Sequence, residues 1–264
     1  MRRYVLLIIS LLTISAGSWA QENESGNVVS RKKFFEDVDP IEVVLQTDMK
    51  KLVSQKKNPN FQPATLTWKN ADASGDVVEP IRIRLRGKNR KETCSNASLM
   101  IDFRVDSQKT RLSNLKEMKW VAPCSRNVDG EQFVLKEYLI YKMYNEFTDL
   151  SFKVRLLHIT FQDASGKQKP FTQYGFALEH VDDLKKRNNC IEEKKRQFLT
   201  VQTQREQATL VSIFQYMIGN TDWAVPNYHN VKLLIPKDSP TAQPYMVPYD
   251  FDYAGAVNTP YAVP

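Results

Sequence analysis

Asp222, Asn227, Asn230, Asp250 and Asp252 fall within one stretch, "IGNTDWAVPNYHNVKLL…YMVPYDFDY", between Ile218 and Tyr253. Carboxylates and amides at the ends of apolar strands can converge on a divalent cation, because hard cations take oxygen ligands. A cation held by one Asp and one Asn neutralises phosphate oxygens, and a second Asp is then free to orient a hydroxyl. That is the division of labour of phosphoryl transfer. Each residue alone also has a plain structural use: Asp222 in a helix-stop turn, Asn227 and Asn230 as turn formers, Asp250 and Asp252 as solvated charge. As a set they point to metal-assisted chemistry.

The elements around this set make convergence feasible. "REQATLVSIFQYMIGN" has helical spacing at Ala208, Val211, Phe214, Met217 and Ile218, and Gly219 is a natural stop. "HNVKLLI" and "PYMVPYD" read as two short strands across a Pro- and Ser-containing turn. Paired as a hairpin, they bring Asn230 and Asp250 to one open end, with Asn227 just upstream and Asp222 reaching in from the loop. Upstream, "PIEVVLQTD", "FQPATLTWK", "IRIRL", "SLMIDFRVD" and "EMKWVAP" read as strands of a mostly antiparallel sheet. "GEQFVLKEYLIYKMYNEF" over 130–147 is a helix with a broad apolar face. "FKVRLLHITFQD" and "TQYGFALEHV" form a hairpin across a turn-rich loop. No internal repeat is visible.

The N-terminus has a basic start (Arg2, Arg3), an apolar run from Tyr4 to Ile14, and small residues Ser18 and Ala20 before a polar stretch. This three-part pattern predicts a secretory leader over 1–20 and a polar lead-in over 21–38. The apolar run is too short to span a bilayer comfortably, so the expectation is a secreted or periplasmic protein without stable membrane insertion. The net charge is +7, and the leader carries two of those charges. The basic clusters 88–91 and 185–187 are local and lack interleaved aromatics. That argues against a nucleic-acid groove and for a basic pocket that takes phosphate groups. The three cysteines are an odd count, so at least one is unpaired or intermolecular; export permits a Cys94–Cys124 bond. Sequons stand at Asn23 and Asn96.

The chain also resembles the secreted, spore-coat-type atypical kinases of the CotH superfamily. The resemblance rests on "RIRLRGKNRKETC", "FVLKEYLIYKMYNEFTDLSFKVRLLHITF", "YGFALEHVDDL", "GNTDWAVPNYHN" and "PYMVPYDFDYAG", roughly residues 80–257, the last two blocks being the specific ones. The interval from Asp222 to Asn227 equals the Asp-to-Asn separation of the protein-kinase catalytic loop, although the preceding His-Arg is missing. The resemblance implies an α+β, two-lobed, atypical protein-kinase-like fold. Its strand-rich small lobe would cover about 39–178, and a partial, more helical large lobe about 179–264. Asp222 then looks like the catalytic-loop acid and Asn227 like the metal-holding amide, with Asn230 as its rival. Asp250 resembles the metal-binding acid, and Asp252 a second ligand or a substrate-positioning residue. Lys119 would contact phosphates with Glu137 as its steadying partner. Arg86, with Lys88 and Arg90, would face phosphates, and Glu179 would mark the lobe junction where backbone groups bind adenine. No Gly-rich phosphate loop is present.

These readings lead to a secreted phosphotransferase that uses Mg²⁺ or Mn²⁺ and ATP to modify a hydroxyl on an exported protein or glycan. Two alternatives remain open from sequence: a non-catalytic envelope or coat assembly module, and a metal-dependent hydrolase of phosphate esters or glycans.

Overall fold

The computed structural model describes residues 29–36, 38–69, 75–87, 94–105, 110–194 and 196–262. The leader, Asn23, most of the lead-in, Lys88 and Arg90 lie outside the described residues.

Period-two alternation builds the first half of the molecule. In β1 (Ile41–Thr47), β2 (Gln62–Trp68) and β3 (Val77–Leu85) every second residue is buried, except the half-buried Trp68 at the end of β2, as a sheet with one covered face requires. β4 (Leu99–Asp102), β5 (Glu117–Val121), β6 (Val154–Asp163) and β7 (Phe171–Leu178) continue it. The seven strands close into a barrel in the order β1-β2-β3-β4-β5-β7-β6. Closure comes from a parallel pairing of β1 with β6, from Ile41↔Leu157 to Thr47↔Asp163; the other neighbours are antiparallel. Leu45, Leu66, Ile83, Ile101 and Leu157 are fully enclosed in the barrel, each contributing about 1.5–3 kcal/mol of burial free energy. Gly175 in β7 is bare because a Cβ there would lie 2.7 Å from the Val121 carbonyl oxygen.

Short helices α1 (Arg31–Glu36) and α2 (Met49–Ser54) add Phe34, Phe35, Met49 and Leu52 to the barrel core. Helix α3 (Val128–Phe147) starts where Asn127 Oδ1 accepts the Gly130 N–H at 2.9 Å, satisfying an orphan first-turn donor. It packs on the outside of the barrel wall, with Tyr141 against Phe176 of β7 at 5.7 Å. After β7 come α4 (Val181–Arg187), β8 (Cys190–Glu193), α5 (Arg205–Met217), β9 (Val231–Pro236) and β10 (Tyr245–Pro248). The last three strands form a second antiparallel sheet, β10-β9-β8. A second apolar core joins α3, α5 and this sheet to the barrel's outer face through Tyr144, Phe176, Phe214, Leu233, Met246 and Phe251. Cys94 and Cys124 form a disulfide, and Cys190 is buried and free.

The expected two-lobed, protein-kinase-like fold is not what forms. The described residues make a closed seven-stranded mixed barrel with five α-helices, a strand-rich α+β fold. Two physical facts account for the difference. A half-buried strand alternates identically in an open sheet and in a closed barrel, so alternation alone does not disclose the β1–β6 closure. Beyond 178 the helices α4 and α5 stand beside a three-stranded sheet of β8, β9 and β10, so this part is mixed and packs on the barrel wall. Among the described residues no helix is long and apolar enough to cross a membrane.

Candidate functional site

The second sheet brings its hairpin end against the barrel wall. β9 and β10 pair from Leu234↔Tyr245 to Val231↔Pro248, and the Tyr249 N–H donates to the Asn230 carbonyl at 3.0 Å. Asn230 and Asp250 therefore share one end of the hairpin. Both have left-handed backbones, φ 49° and 65°, a region that Asn and Asp tolerate better than most residues. Asp250 is pinned there because its N–H donates to the Tyr141 hydroxyl at 2.7 Å. Burial holds the Tyr141 phenol protonated well above its usual range, with Glu137 and Asp250 adding to the effect.

Asp222 reaches the same place from the loop after α5. Helix α5 stops at Gly219, φ 64°, and a bridge between Ala224 and His229 folds the loop back. The Asn230 Nδ2 donates to Asp222 Oδ2 and to the Asp222 carbonyl, each at 2.8 Å. His229 Nε2 lies 2.6 Å from Asp222 Oδ1. Asn227 stays in the exposed turn, where its Oδ1 accepts the His229 N–H at 3.3 Å. The structure thus joins Asp222 to Asn230 and leaves Asn227 outside the pair.

Cations come from the barrel wall and from the hairpin. Lys119 lies on the outer side of β5, its Nζ 5.9 Å from the Tyr249 ring centre, and the Lys232 Nζ of β9 lies 5.6 Å from that same centre. Desolvation lowers the Lys119 ammonium from 10.5 to about 8, with Arg86 and Lys232 lowering it further and Asp250 and Glu192 opposing. Glu192 of β8 bridges Lys194 and Lys232, both at 3.0 Å. Burial pushes its carboxyl up, but the two ammonium groups more than compensate and it sits below the usual range. Arg86, Lys119, Lys232, Asp250 and Glu192 therefore form one electrostatic group around Tyr249.

The other expected positions fall elsewhere. Glu137 is buried on α3 and lines a small cavity with Asp252. Asp252 accepts from the Tyr261 hydroxyl at 3.0 Å, and its carbonyl accepts from Thr259. Glu179 is occupied by structure: Arg187 donates to it at 2.9 and 3.1 Å and the Lys153 N–H at 3.0 Å. It anchors the turn from β7 into α4. Asn96 is buried. Tyr141, Glu192, Lys232, Tyr249 and His229 were not singled out from sequence. Lys232, a lone cation inside the apolar strand "VKLLI", is the one with a readable signal.

Among the described residues no group of three His, Cys, Asp or Glu side chains is set to hold a metal. Asp250 and Asn230 are nevertheless oxygen donors of the kind Mg²⁺ and Mn²⁺ take. The Asn230 amide nitrogen faces Asp222, which turns its carbonyl oxygen away from that acid. Compared with known proteins, the chain matches no protein-family model and no curated sequence significantly.

Proposed function

We propose that this chain is an extracytoplasmic, metal-dependent phosphotransferase that moves the terminal phosphoryl group of a nucleoside triphosphate to a hydroxyl of an exported protein or glycan. The observation that carries the reading is the partly desolvated Lys119 ammonium, grouped with Arg86, Lys232 and Asp250 beside Tyr249. Cations crowded in a low-dielectric place are costly without an anion, and a polyphosphate offsets that cost. Asp250 and Asn230 would hold the metal, which neutralises phosphate charge. Lys119, Arg86 and Lys232 bind phosphate oxygens. Asp222, fixed by His229 and Asn230, orients the attacking hydroxyl and accepts its proton. The leader pattern supports an extracytoplasmic setting, and the resemblance of the blocks around Asp222 and Asp250 to the spore-coat-type kinases supports the reaction class.

One observation favours a second reading, a binding module without turnover. Both oxygens of the Asp222 carboxylate are already engaged within the fold, Oδ2 by the Asn230 amide and Oδ1 by the His229 ring, which leaves less room for a substrate hydroxyl. Incubation with Mn²⁺ and γ-labelled ATP decides between them. Label on a protein or glycan acceptor supports the transferase, and tight nucleotide binding without transfer supports the module. Release of free phosphate alone would indicate a hydrolase, and absence of nucleotide binding removes the proposal.

A further inference from the structure

The outward faces of α3 and α5 carry apolar side chains that neither core uses. On α3, Leu139, Met143 and Phe147 stand four residues apart and share one stripe. On α5, Ile213, Tyr216 and Met217 share a stripe at positions i, i+3 and i+4. Each of these side chains is between 46% and 87% exposed, Tyr216 being the most open. The buried Phe214 of α5 joins the two stripes. Its ring centre lies 4.7 Å from that of Tyr144 and 6.1 Å from that of Phe147, so the helices are neighbours and their stripes adjoin at Phe147.

The size of this surface decides what it suits. At about 200 Å² for a whole large side chain, these exposures amount to on the order of 700 Å². The largest apolar patch of a soluble monomer usually spans about 300–600 Å², whereas a standard protein interface covers about 800 Å² of each partner. Aromatic residues and Met are also the types enriched where proteins meet.

The charges along α3 say which partner. Lys136 lies three residues before Leu139 and Glu146 three after Met143, and both are exposed. The order Lys136, Leu139, Met143, Glu146 is therefore symmetric about position 141. Two copies of α3 laid antiparallel across a twofold axis there set Leu139 opposite Met143 of the second copy, and Lys136 opposite its Glu146. One ion pair then closes each end of the apolar contact, the ends about 15 Å apart. A parallel arrangement would instead set like charges face to face. The Lys136 Nζ has a contact of 3.5 Å to the Val257 carbonyl oxygen, longer than an ordinary hydrogen bond, and it stays open to a carboxylate.

We propose that the α3–α5 face docks a second copy of this chain, forming a twofold dimer built on antiparallel α3 helices with the α5 stripes beside them. Such an isologous contact uses the same patch on both copies and closes at two. A lipid surface would not require the base and the acid to stand at matched distances from the centre. The proposal does not depend on the transferase reading.

Sedimentation velocity of the whole chain, from about 1 to 100 µM, is the test, since interfaces of this size give affinities in or below that range. A species of twice the monomer mass is expected to grow with concentration. Tyr216→Ser is expected to weaken it about tenfold or more. Lys136→Glu sets two acids face to face at each end and is expected to weaken it about tenfold. Glu146→Lys should do the same, and it carries the measurement if Lys136→Glu fails to fold. The double variant Lys136→Glu/Glu146→Lys restores opposite charges and should return the affinity to within about threefold of wild type. Circular dichroism spectra should be unchanged throughout. Wild type that stays monomeric at the highest concentration overturns the proposal, even if flotation then shows the face on vesicles of anionic lipid. A dimer that none of the variants weakens lies on another surface and overturns it too. A dimer indifferent to the charge swaps, or not restored by the double variant, refutes the antiparallel arrangement.

Discussion

Lys119 is predicted to cost the protein stability that a neutral residue would return. Its ammonium, lowered from 10.5 to about 8 chiefly by desolvation, is less stable in the folded protein than in water. At about 1.4 kcal/mol per pH unit the drop corresponds to about 3.5 kcal/mol as an upper bound. Lys119→Met keeps most of the stem packing against its neighbours and removes the charge. Below pH 8 the folded and unfolded wild type both carry the proton, so the full cost is present. Between pH 8 and 10.5 the folded state releases the proton while the unfolded state keeps it, and the cost fades. Above pH 10.5 it is gone. The variant should therefore be more stable than wild type by up to about 3.5 kcal/mol at pH 7, a rise in Tm of roughly 7–14 °C for a chain of this size. The gap should close as pH rises from 8 to 10.5. Urea unfolding of both proteins across pH 6–11 measures it, with equal m-values securing the comparison. The variant should also lose affinity for ATP. A Met variant less stable than wild type at pH 7, or a gap independent of pH, would refute the account of Lys119 as a desolvated cation kept for an anion.

Three further outcomes follow from the same geometry. Asp250→Ala should abolish metal-dependent nucleotide binding while the chain stays folded, because the carboxylate end of the hairpin is lost; calorimetric titration of Mn²⁺ with ATP reads this, and unchanged affinity would sink the role. Asp222→Asn should bind nucleotide nearly normally and slow transfer by roughly 10²–10⁴, seen by comparing saturated turnover with affinity; collapse of affinity with normal residual turnover would make Asp222 a binding residue instead. Arg187→Ala should destabilise the fold by about 3 kcal/mol, since it strands the buried Glu179 carboxylate without its partner, and denaturant unfolding checks the figure.

Much of the local structure is legible in the residues. Strict alternation in "PIRIRL" and near-alternation in "IEVVLQT" specify half-buried strands, and the spacing of Val211, Phe214 and Ile218 before Gly219 specifies a helix and its end. The hairpin of β9 and β10 can be read because a Pro-containing turn separates two apolar runs, and it places Asn230 beside Asp250. Short elements are not legible: α4 lies in a charged run, and β8 is four residues whose burial depends on β9. The choice of Asn230 over Asn227 as the partner of Asp222 is also hidden, since both are turn-forming amides. The loop's fold, closed by Ala224 and His229, sends one inward and leaves the other in solvent.

What the sequence by itself determined is therefore periodicity, turns and the candidate acids, all set by interactions within a few residues. Only the tertiary structure decided that β1 closes on β6 as a barrel, because that pairing joins segments more than a hundred residues apart and leaves no local trace. It also decided that Lys119 shares its surroundings with Arg86, Lys232 and Asp250. Electrostatic neighbours are chosen by how sheets and helices pack, and two charges distant in the chain acquire a shared environment only when packing excludes the water between them.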